Sequence, residues 1–136
     1  MRIILIAFFC FFSNLCFAEI LVFKNCTSKD YNFEKNDYKL DIIKGIMTRE
    51  FIYTDETYER LRLNDMRIKK ENISTKGIVK ENGEITSEIS GYPAFYTQML
   101  FDTFDKTIKL KSVLNNAEGI SILSSCEKII KYKMES

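Results

Sequence analysis

The chain has 136 residues, of which 46% are hydrophobic and 29% are charged, and its formal net charge is +1. This length fits one domain, the apolar fraction excludes a disordered chain, and the balanced charge argues against a nucleic-acid binder, which is usually strongly basic. The sequence contains no His, which excludes Ser–His and Cys–His nucleophile pairs and His-ligated metal sites. We therefore expect a protein that is not an enzyme and that carries no metal or cofactor.

The first eighteen residues have the layout of a secretory signal peptide. Arg2 provides the positive charge, residues 3–12 form an uninterrupted apolar run, and Cys16 and Ala18 place small side chains before the cleavage position. We therefore expect export to the periplasm or the extracellular space. The mature protein is then a single domain formed by residues 19–136.

An uncleaved membrane anchor over residues 3–23 is the alternative interpretation of this segment. It would place Asn14 and Glu19 in the hydrocarbon layer, where a carboxylate is costly. Cleavage is therefore the better interpretation, and we expect no membrane span after the signal is removed.

The four cysteines divide between the signal and the mature domain. Cys26 and Cys126 remain after processing, one near each end of the mature chain. We expect them to form a disulfide, because exported proteins reach a compartment that permits oxidation. The loop between them is long, so the chain-entropy model assigns this bond up to about 4–5 kcal/mol of stabilisation. A redox or metal role would need a CxxC motif or further ligands, which the sequence lacks.

Alternation of apolar and polar residues predicts strands in the first half of the mature chain. It is clear at residues 38–42, 47–53 and 60–63. After Leu63 the phase shifts at Asn64-Asp65, which predicts a bulge or a tight turn.

Two further expectations concern the neighbourhood of this phase shift. Beyond it, Met66 and Ile68 continue the apolar face of the predicted strand. Before it, residues 54–60 are expected to form a loop, although a short helix capped by Thr54 is the alternative.

The clearest local signal in the sequence is Asn82-Gly83. This pair tolerates the positive φ angles of a type I′ turn and lies between two alternating segments. A two-residue turn here pairs Lys80 with Ile85 and Ile78 with Ser87. Three isoleucines are then expected to share one face: Ile78, Ile85 and Ile89.

A second hairpin and a final strand are predicted downstream. Residues 95–101 alternate, Asp105-Lys106 is suited to turn the chain, and residues 107–110 alternate again. Asn115-Asn116 then precedes a strand over residues 120–126. This last strand would bring its cysteine back beside Cys26, which supports the disulfide.

Short strands at this spacing predict an all-β domain, a small antiparallel β-barrel or β-sandwich of about eight strands. A small barrel closed by a disulfide resembles the lipocalins at the level of architecture only, because their early Gly-x-Trp signature is impossible in a chain without Trp. The resemblance implies a ligand-binding role by analogy with that fold.

The first functional hypothesis is a non-catalytic binding module for a small apolar ligand or lipid. A barrel interior lined by aromatic side chains suits such a ligand. The candidate lining residues are Phe51, Tyr53, Phe95, Tyr96 and Phe101. The competing interpretation is that alternating aromatic residues simply fill the core of a small barrel.

The alternative hypothesis is a protein-interaction or inhibitor module that acts on an envelope or secreted partner through an exposed loop at residues 90–96. Its candidate contact residues are Tyr92, Phe95 and Tyr96. Ser90-Gly91 followed by these tyrosines resembles part of the Ser-Gly-x-x-Tyr motif of bacterial periplasmic lysozyme inhibitors, which are also small exported barrels with a disulfide. The tyrosine spacing differs from that motif, and the Trp expected downstream is missing.

Overall fold

A computed structural model describes residues 18–134, and the side chains of residues 19–132. The described chain forms nine strands and one helix: β1 Ala18–Thr27, β2 Phe33–Asp41, β3 Ile46–Tyr53, α1 Asp55–Asn64, β4 Glu71–Glu81, β5 Glu84–Ser87, β6 Ser90–Tyr92, β7 Phe95–Asp102, β8 Thr107–Leu114 and β9 Ala117–Met134. The predicted signal peptide, residues 1–18, lies outside the described residues apart from Ala18. Within the described range no helix is long and apolar enough to span a membrane.

The strands form a closed antiparallel barrel. Consecutive strands pair from β1 to β5 and from β6 to β9, and β9 pairs with β1. The seam is a short pairing of β5 with β7, in which Ile85 lies opposite Phe101 and Thr86 opposite Leu100. The result is an eight-stranded barrel with β6 as an additional short strand beside β7. The all-β prediction is therefore confirmed in its barrel form.

Asparagine-rich turns set the register of two hairpins. Asn82 and Gly83 have φ angles of 53° and 81° between β4 and β5, and Asn115 and Asn116 have φ angles of 49° and 68° between β8 and β9. Asn and Gly adopt this left-handed region at low cost, and its twist matches that of the flanking strands. The predicted pairs Lys80–Ile85 and Ile78–Ser87 are both present.

The centre of the barrel is filled by side chains from seven of its strands. Phe23, Leu40 and Ile108 have no exposed surface, and Tyr38 is 1% exposed. Phe101 packs edge-on against Phe23 and Tyr38, with ring centres 5.8 and 6.2 Å apart. These contacts form a continuous core, completed by Leu21, Cys26, Met47, Ile78 and Ile85.

The predicted disulfide is present. Cys26 and Cys126 lie opposite one another where β1 pairs with β9, and their sulfur atoms are bonded. Cys26 is 3% exposed and belongs to the core. The bond therefore joins the first and last strands of the barrel and closes a loop with a sequence separation of 100.

The segment after β3 departs from the expectation. Residues 55–60 are not a loop and residues 60–63 are not a strand, because both segments lie in helix α1, with Thr54 as its N-cap. Thr54 caps the helix by accepting a hydrogen bond from the Thr57 backbone N–H, and Asp55 and Glu56 lie in the first turn, where the helix dipole favours acidic residues. The alternation of residues 60–63 does not reflect a buried face, because Leu63 is 84% exposed.

Two other face assignments are wrong. Met66 is 82% exposed and lies with Ile68 in turn and loop structure rather than in a strand. Ile89 is 53% exposed, while Ile78 and Ile85 are buried. The β4–β5 ladder ends at Ser87, so the following residues no longer alternate with the barrel interior.

Candidate functional site

The interior of the barrel is open to solvent at the end where β3 ends and β4 begins, which we call the open end. Residues directly opposite on paired strands share a face. Asn72 lies opposite the buried Phe51, and Ser74 lies opposite Arg49, so Asn72 and Ser74 face the interior. Both are nevertheless exposed, which shows that the interior is accessible at this level.

An arginine surrounded by aromatic rings lies at the open end. The Arg49 guanidinium carbon is 4.4 Å from the ring centre of Phe51, 5.2 Å from Tyr38 and 5.5 Å from Phe33. Each distance lies within the range of a cation–π interaction. We call Tyr31, Phe33, Arg49, Phe51 and Tyr53 the aromatic corner.

The register of β2 and β3 builds the aromatic corner. Alternate β3 residues face the same side, so Arg49, Phe51 and Tyr53 follow the buried Met47 on the interior face. Phe33 lies opposite Tyr53 despite a shift of register immediately after it in β2. The bulge thus keeps the Phe33 ring with the other aromatic rings.

The rings of the aromatic corner contact one another closely. Phe33 stacks on Tyr53 at 5.2 Å between ring centres, and Phe51 meets Tyr53 edge-on at 4.9 Å. Tyr31 adds an edge-on contact to Tyr53 at 6.1 Å. Such pairs each contribute about 0.5–1.5 kcal/mol beyond burial, so the corner is a packed and preorganised surface.

The Arg49 guanidinium forms a hydrogen bond with a neutral side chain but, among the described residues, has no acidic partner. Arg49 Nε donates a hydrogen bond to Asn36 Oδ1 at 3.0 Å, and Asn36 Nδ2 donates to the Cys26 carbonyl at 3.1 Å. Among the described residues, no carboxylate oxygen lies within 4.0 Å of the guanidinium. Arg49 is half-buried, so this charge is partly withdrawn from water without being neutralised.

A groove of about 330 Å³ lies against the aromatic corner. Phe51 and Tyr53 supply its aromatic wall, and the turn after α1 brings two further cations to it. Its lining residues are Phe51, Tyr53, Arg67, Ile68, Lys69 and Asn72. This volume is within the range typical of small-ligand sites.

Tyr53 keeps its hydroxyl proton in this site. Burial raises the pKa of the Tyr53 hydroxyl above its ordinary value, while the charge of Arg49 acts in the opposite direction and Tyr31 raises it further. At neutral pH Tyr53 is therefore a neutral hydrogen-bond donor. Together with the guanidinium and the Asn72 amide, the open end offers donors for an anionic or carbonyl group.

The structure brings together only some of the residues predicted to bind a ligand. Phe51 and Tyr53 form the wall of the groove. Phe101 is 5% exposed and lies in the core. Phe95 and Tyr96 are consecutive in β7 and therefore point to opposite faces of the sheet.

The predicted partner loop forms the hairpin of β6 and β7. Tyr92 lies opposite Phe95, which in turn lies opposite Leu114 on β8. These three side chains are 79%, 52% and 56% exposed. They make an apolar patch at the tip of the hairpin, whereas Tyr96 is half-buried on the other face.

Sequence reasoning missed Arg49, Tyr31 and Phe33. Arg49 occupies the same alternation phase as Met47 and Phe51, and a charged residue on the expected interior face of a strand was the available signal. Nothing in the local pattern indicated that the residues before β2 would fold against the end of β3.

No family model matches the chain, and no curated protein or solved structure matches it either.

Proposed function

We propose that the protein is an exported, non-catalytic binding module for a small amphipathic ligand that has one anionic headgroup and an apolar body. The observation that carries the proposal is Arg49, a half-buried guanidinium enclosed by three aromatic rings and lacking an acidic partner among the described residues. A buried charge is costly unless it is paired. A ligand carboxylate or phosphate would supply the missing pair.

The charge of the site favours an anion. Lys69 lines the groove beside the aromatic wall with no acidic partner among the described residues, whereas Arg67 also lines it but pairs with Asp65 at 3.1 Å. The neutral Tyr53 hydroxyl adds a hydrogen-bond donor. A guanidinium binds planar oxyanions through two parallel hydrogen bonds, and such charge-assisted bonds are stronger than neutral ones. A neutral ligand of the same shape would leave the charges of Arg49 and Lys69 without an anionic partner.

The aromatic wall favours an apolar body. Phe51 and Tyr53 present ring surface to the groove, and Ile68 also lines it. Burial of a ligand's apolar surface contributes about 25 cal/mol per Å². The centre of the barrel, by contrast, is occupied by Phe23, Tyr38 and Phe101, so we place the ligand at the open end.

A larger groove of about 500 Å³ lies on the outer face of β1, β2 and β3 and is a weaker candidate. Two of its three lysines already have acidic partners, because Lys24 pairs with Asp37 at 3.1 Å and Lys35 pairs with Glu50 at 3.2 Å. Most of the cationic charge of this groove is therefore already balanced by carboxylates.

The proposal is tested by calorimetric titration of the exported, oxidised protein with decanoate and with the neutral 1-decanol. We expect decanoate to bind and Arg49→Gln to weaken it at least tenfold, because the charged hydrogen bonds are lost. Arg62→Gln is the matched control, since Arg62 lies on α1 and pairs with Glu59 outside the groove. Equal affinity for decanoate and 1-decanol, or unchanged binding by Arg49→Gln, would overturn the proposal.

The exposed hairpin tip supports a second candidate function, the capture of an envelope or secreted protein. Tyr92 is 79% exposed beside Phe95, and aromatic residues of this kind anchor protein interfaces. The test is a pull-down of secreted and envelope proteins with the wild type and with a variant in which Tyr92, Phe95 and Tyr96 are replaced by Ser. A partner retained by the variant would exclude the hairpin tip as the binding surface.

A further inference from the structure

The first half of β9 has an unpaired edge. Residues 117–125 of β9 pair with β8, and residues 125–134 pair with β1, which ends at Thr27 opposite Ser125. Within the described chain, the side of residues 117–124 that faces away from β8 therefore has no neighbouring strand. A row of backbone N–H and C=O groups on such an edge is a template for pairing with another strand.

The central part of this edge has neither charge nor proline to block pairing, and its protection is limited to a β-bulge at Leu123, where the β8–β9 register shifts. Residues 119–126 contain no charged residue and no proline, although charge and proline are the common means of blocking an edge. Ile120 and Ile122 are 58% and 63% exposed on its outer face. Residues 71–76 of β4, which also have one unpaired edge, begin with Glu71 and end with Lys76, so charge protects that edge.

There is also space beside the β9 edge. A cleft of about 610 Å³ separates it from the end of β1 and the loop that follows. One wall is formed by Ser121, Ile122, Leu123, Ser124 and Ser125, and the other by Thr27, Ser28 and Lys29. An additional strand can therefore approach the edge without displacing a described element.

We propose that this edge pairs with the same edge of a second copy of the chain, antiparallel and about a two-fold axis through Ser121. Ile120 of each copy then lies opposite Ile122 of the other, and the four isoleucines form one apolar stripe on the outer face of a continuous intermolecular sheet. The self-pairing brings no like charges together because the central segment is uncharged. Antiparallel pairing of identical segments is the isologous contact that closes a two-fold dimer.

The choice of a second copy follows from this self-complementarity. With the two-fold axis at Ser121, Ile120 of each copy lies opposite Ile122 of the other, and all four side chains point outward. Aliphatic cross-strand pairs of this kind stabilise a sheet. The surface lies outside the aromatic corner, so dimerisation is independent of the ligand proposal.

Light scattering with size-exclusion chromatography across a concentration series tests the oligomeric state of the oxidised protein. We expect a dimer, and a monomer for Ile120→Lys/Ile122→Lys, which places four lysines along the stripe. Val79→Lys is the matched control, because Val79 is a similarly exposed aliphatic residue on β4 that pairs with Thr86 on β5. A monomeric wild type at every concentration, or a dimer that survives the double substitution, would overturn the proposal.

A second measurement tests the register directly. Ser121→Cys places a thiol on the two-fold axis, and opposite residues of an antiparallel pair lie about 4.5–5.5 Å apart between Cα atoms, within disulfide reach. We expect a covalent dimer on a non-reducing gel, with peptide mapping that shows a bond between the two copies of residue 121. Ser112→Cys, an exposed position paired on both sides with β7 and β9, is expected to remain uncrosslinked. Failure of Ser121→Cys to crosslink would overturn the proposed pairing.

Discussion

Arg49 and Asn36 lie on neighbouring strands of the barrel and are joined by a hydrogen bond of 3.0 Å from Arg49 Nε to Asn36 Oδ1. Asn36 is 1% exposed, and its amide also binds the carbonyl of Cys26. One buried asparagine therefore connects the charged centre of the aromatic corner to the residue that forms the disulfide. The site at the open end and the disulfide are therefore linked through the two hydrogen bonds of Asn36.

This arrangement makes Asn36 a positioning residue for Arg49. Asn36→Leu keeps a similar volume but leaves the Cys26 carbonyl and Arg49 Nε without their partners, so we expect a loss of about 2 kcal/mol in the free energy of unfolding. We also expect weaker decanoate binding, because the guanidinium loses its fixed orientation. Urea denaturation and calorimetry measure the two effects. Decanoate affinity equal to that of the wild type would show that Asn36 does not position Arg49.

The disulfide is expected to supply much of the stability of the domain. Replacing both cysteines by alanine releases a loop with a sequence separation of 100, for which the chain-entropy model predicts a loss of up to about 4–5 kcal/mol. Urea denaturation of the wild type and of Cys26→Ala/Cys126→Ala gives the difference in unfolding free energy. A loss of less than about 1 kcal/mol in the free energy of unfolding would contradict a major contribution of this bond to stability.

Two phenylalanines three residues apart are expected to differ sharply in their contribution to stability. Phe101 is 5% exposed against Phe23 and Tyr38, whereas Phe104 is 92% exposed in the turn that follows β7. Phe101→Ala should cost about 3–5 kcal/mol by leaving a cavity, and Phe104→Ala less than about 0.5 kcal/mol. Thermal and urea unfolding measure both. Similar losses of unfolding free energy for the two variants would contradict the assignment of Phe101 to the core.

A carboxylate in the β7–β8 turn is expected to make stability depend on pH. The backbone N–H groups of Asp105 and Phe104 and the Lys109 ammonium bind Asp102, and the Asp105 contact is the largest cause that lowers the pKa of the Asp102 carboxyl below its ordinary 3.8. Since the folded pKa is below the unfolded one, this stabilisation is present above pH 3.8 and is lost as the pH falls through the lowered folded value.

Asp102→Ala should therefore cost about 2 kcal/mol near pH 7, and the difference from the wild type should shrink in acid. Urea denaturation over a pH series measures it, with Glu84→Ala at the exposed β4–β5 turn as the control. A difference that is constant from neutral pH to below pH 3 would contradict the role assigned to the charged form of Asp102.

The sequence predicted the parts of the fold that depend on local rules. Asn82-Gly83 predicted a turn because few residues adopt its φ angles, and Cys26 had one partner left once the two cysteines of the predicted signal peptide were set aside. Residues 60–63 of helix α1 were interpreted as a strand because Arg60 to Leu63 alternates by composition alone, and the preceding residues were interpreted as a loop. Whether a leucine in such a pattern is buried depends on a neighbouring strand, and none lies there.

The candidate site was predicted only in part for a similar reason. Phe51 and Tyr53 were identified from their alternation on one strand. Arg49 could be identified as a site residue only from its contacts with Phe33 and Asn36, which the pairing of β2 with β3 brings next to it. Side-chain contacts between strands are set by the register, and alternation within one strand does not reveal them.

The most direct test of the account is nuclear magnetic resonance of the exported, oxidised protein titrated with decanoate. The account predicts that the largest shifts occur at the Arg49 Nε–H signal and at the ring signals of Phe51 and Tyr53, and that 1-decanol does not move Arg49. Shifts confined to the outer groove around Val22 and Tyr132, or no shift at Arg49 with either compound, would contradict it.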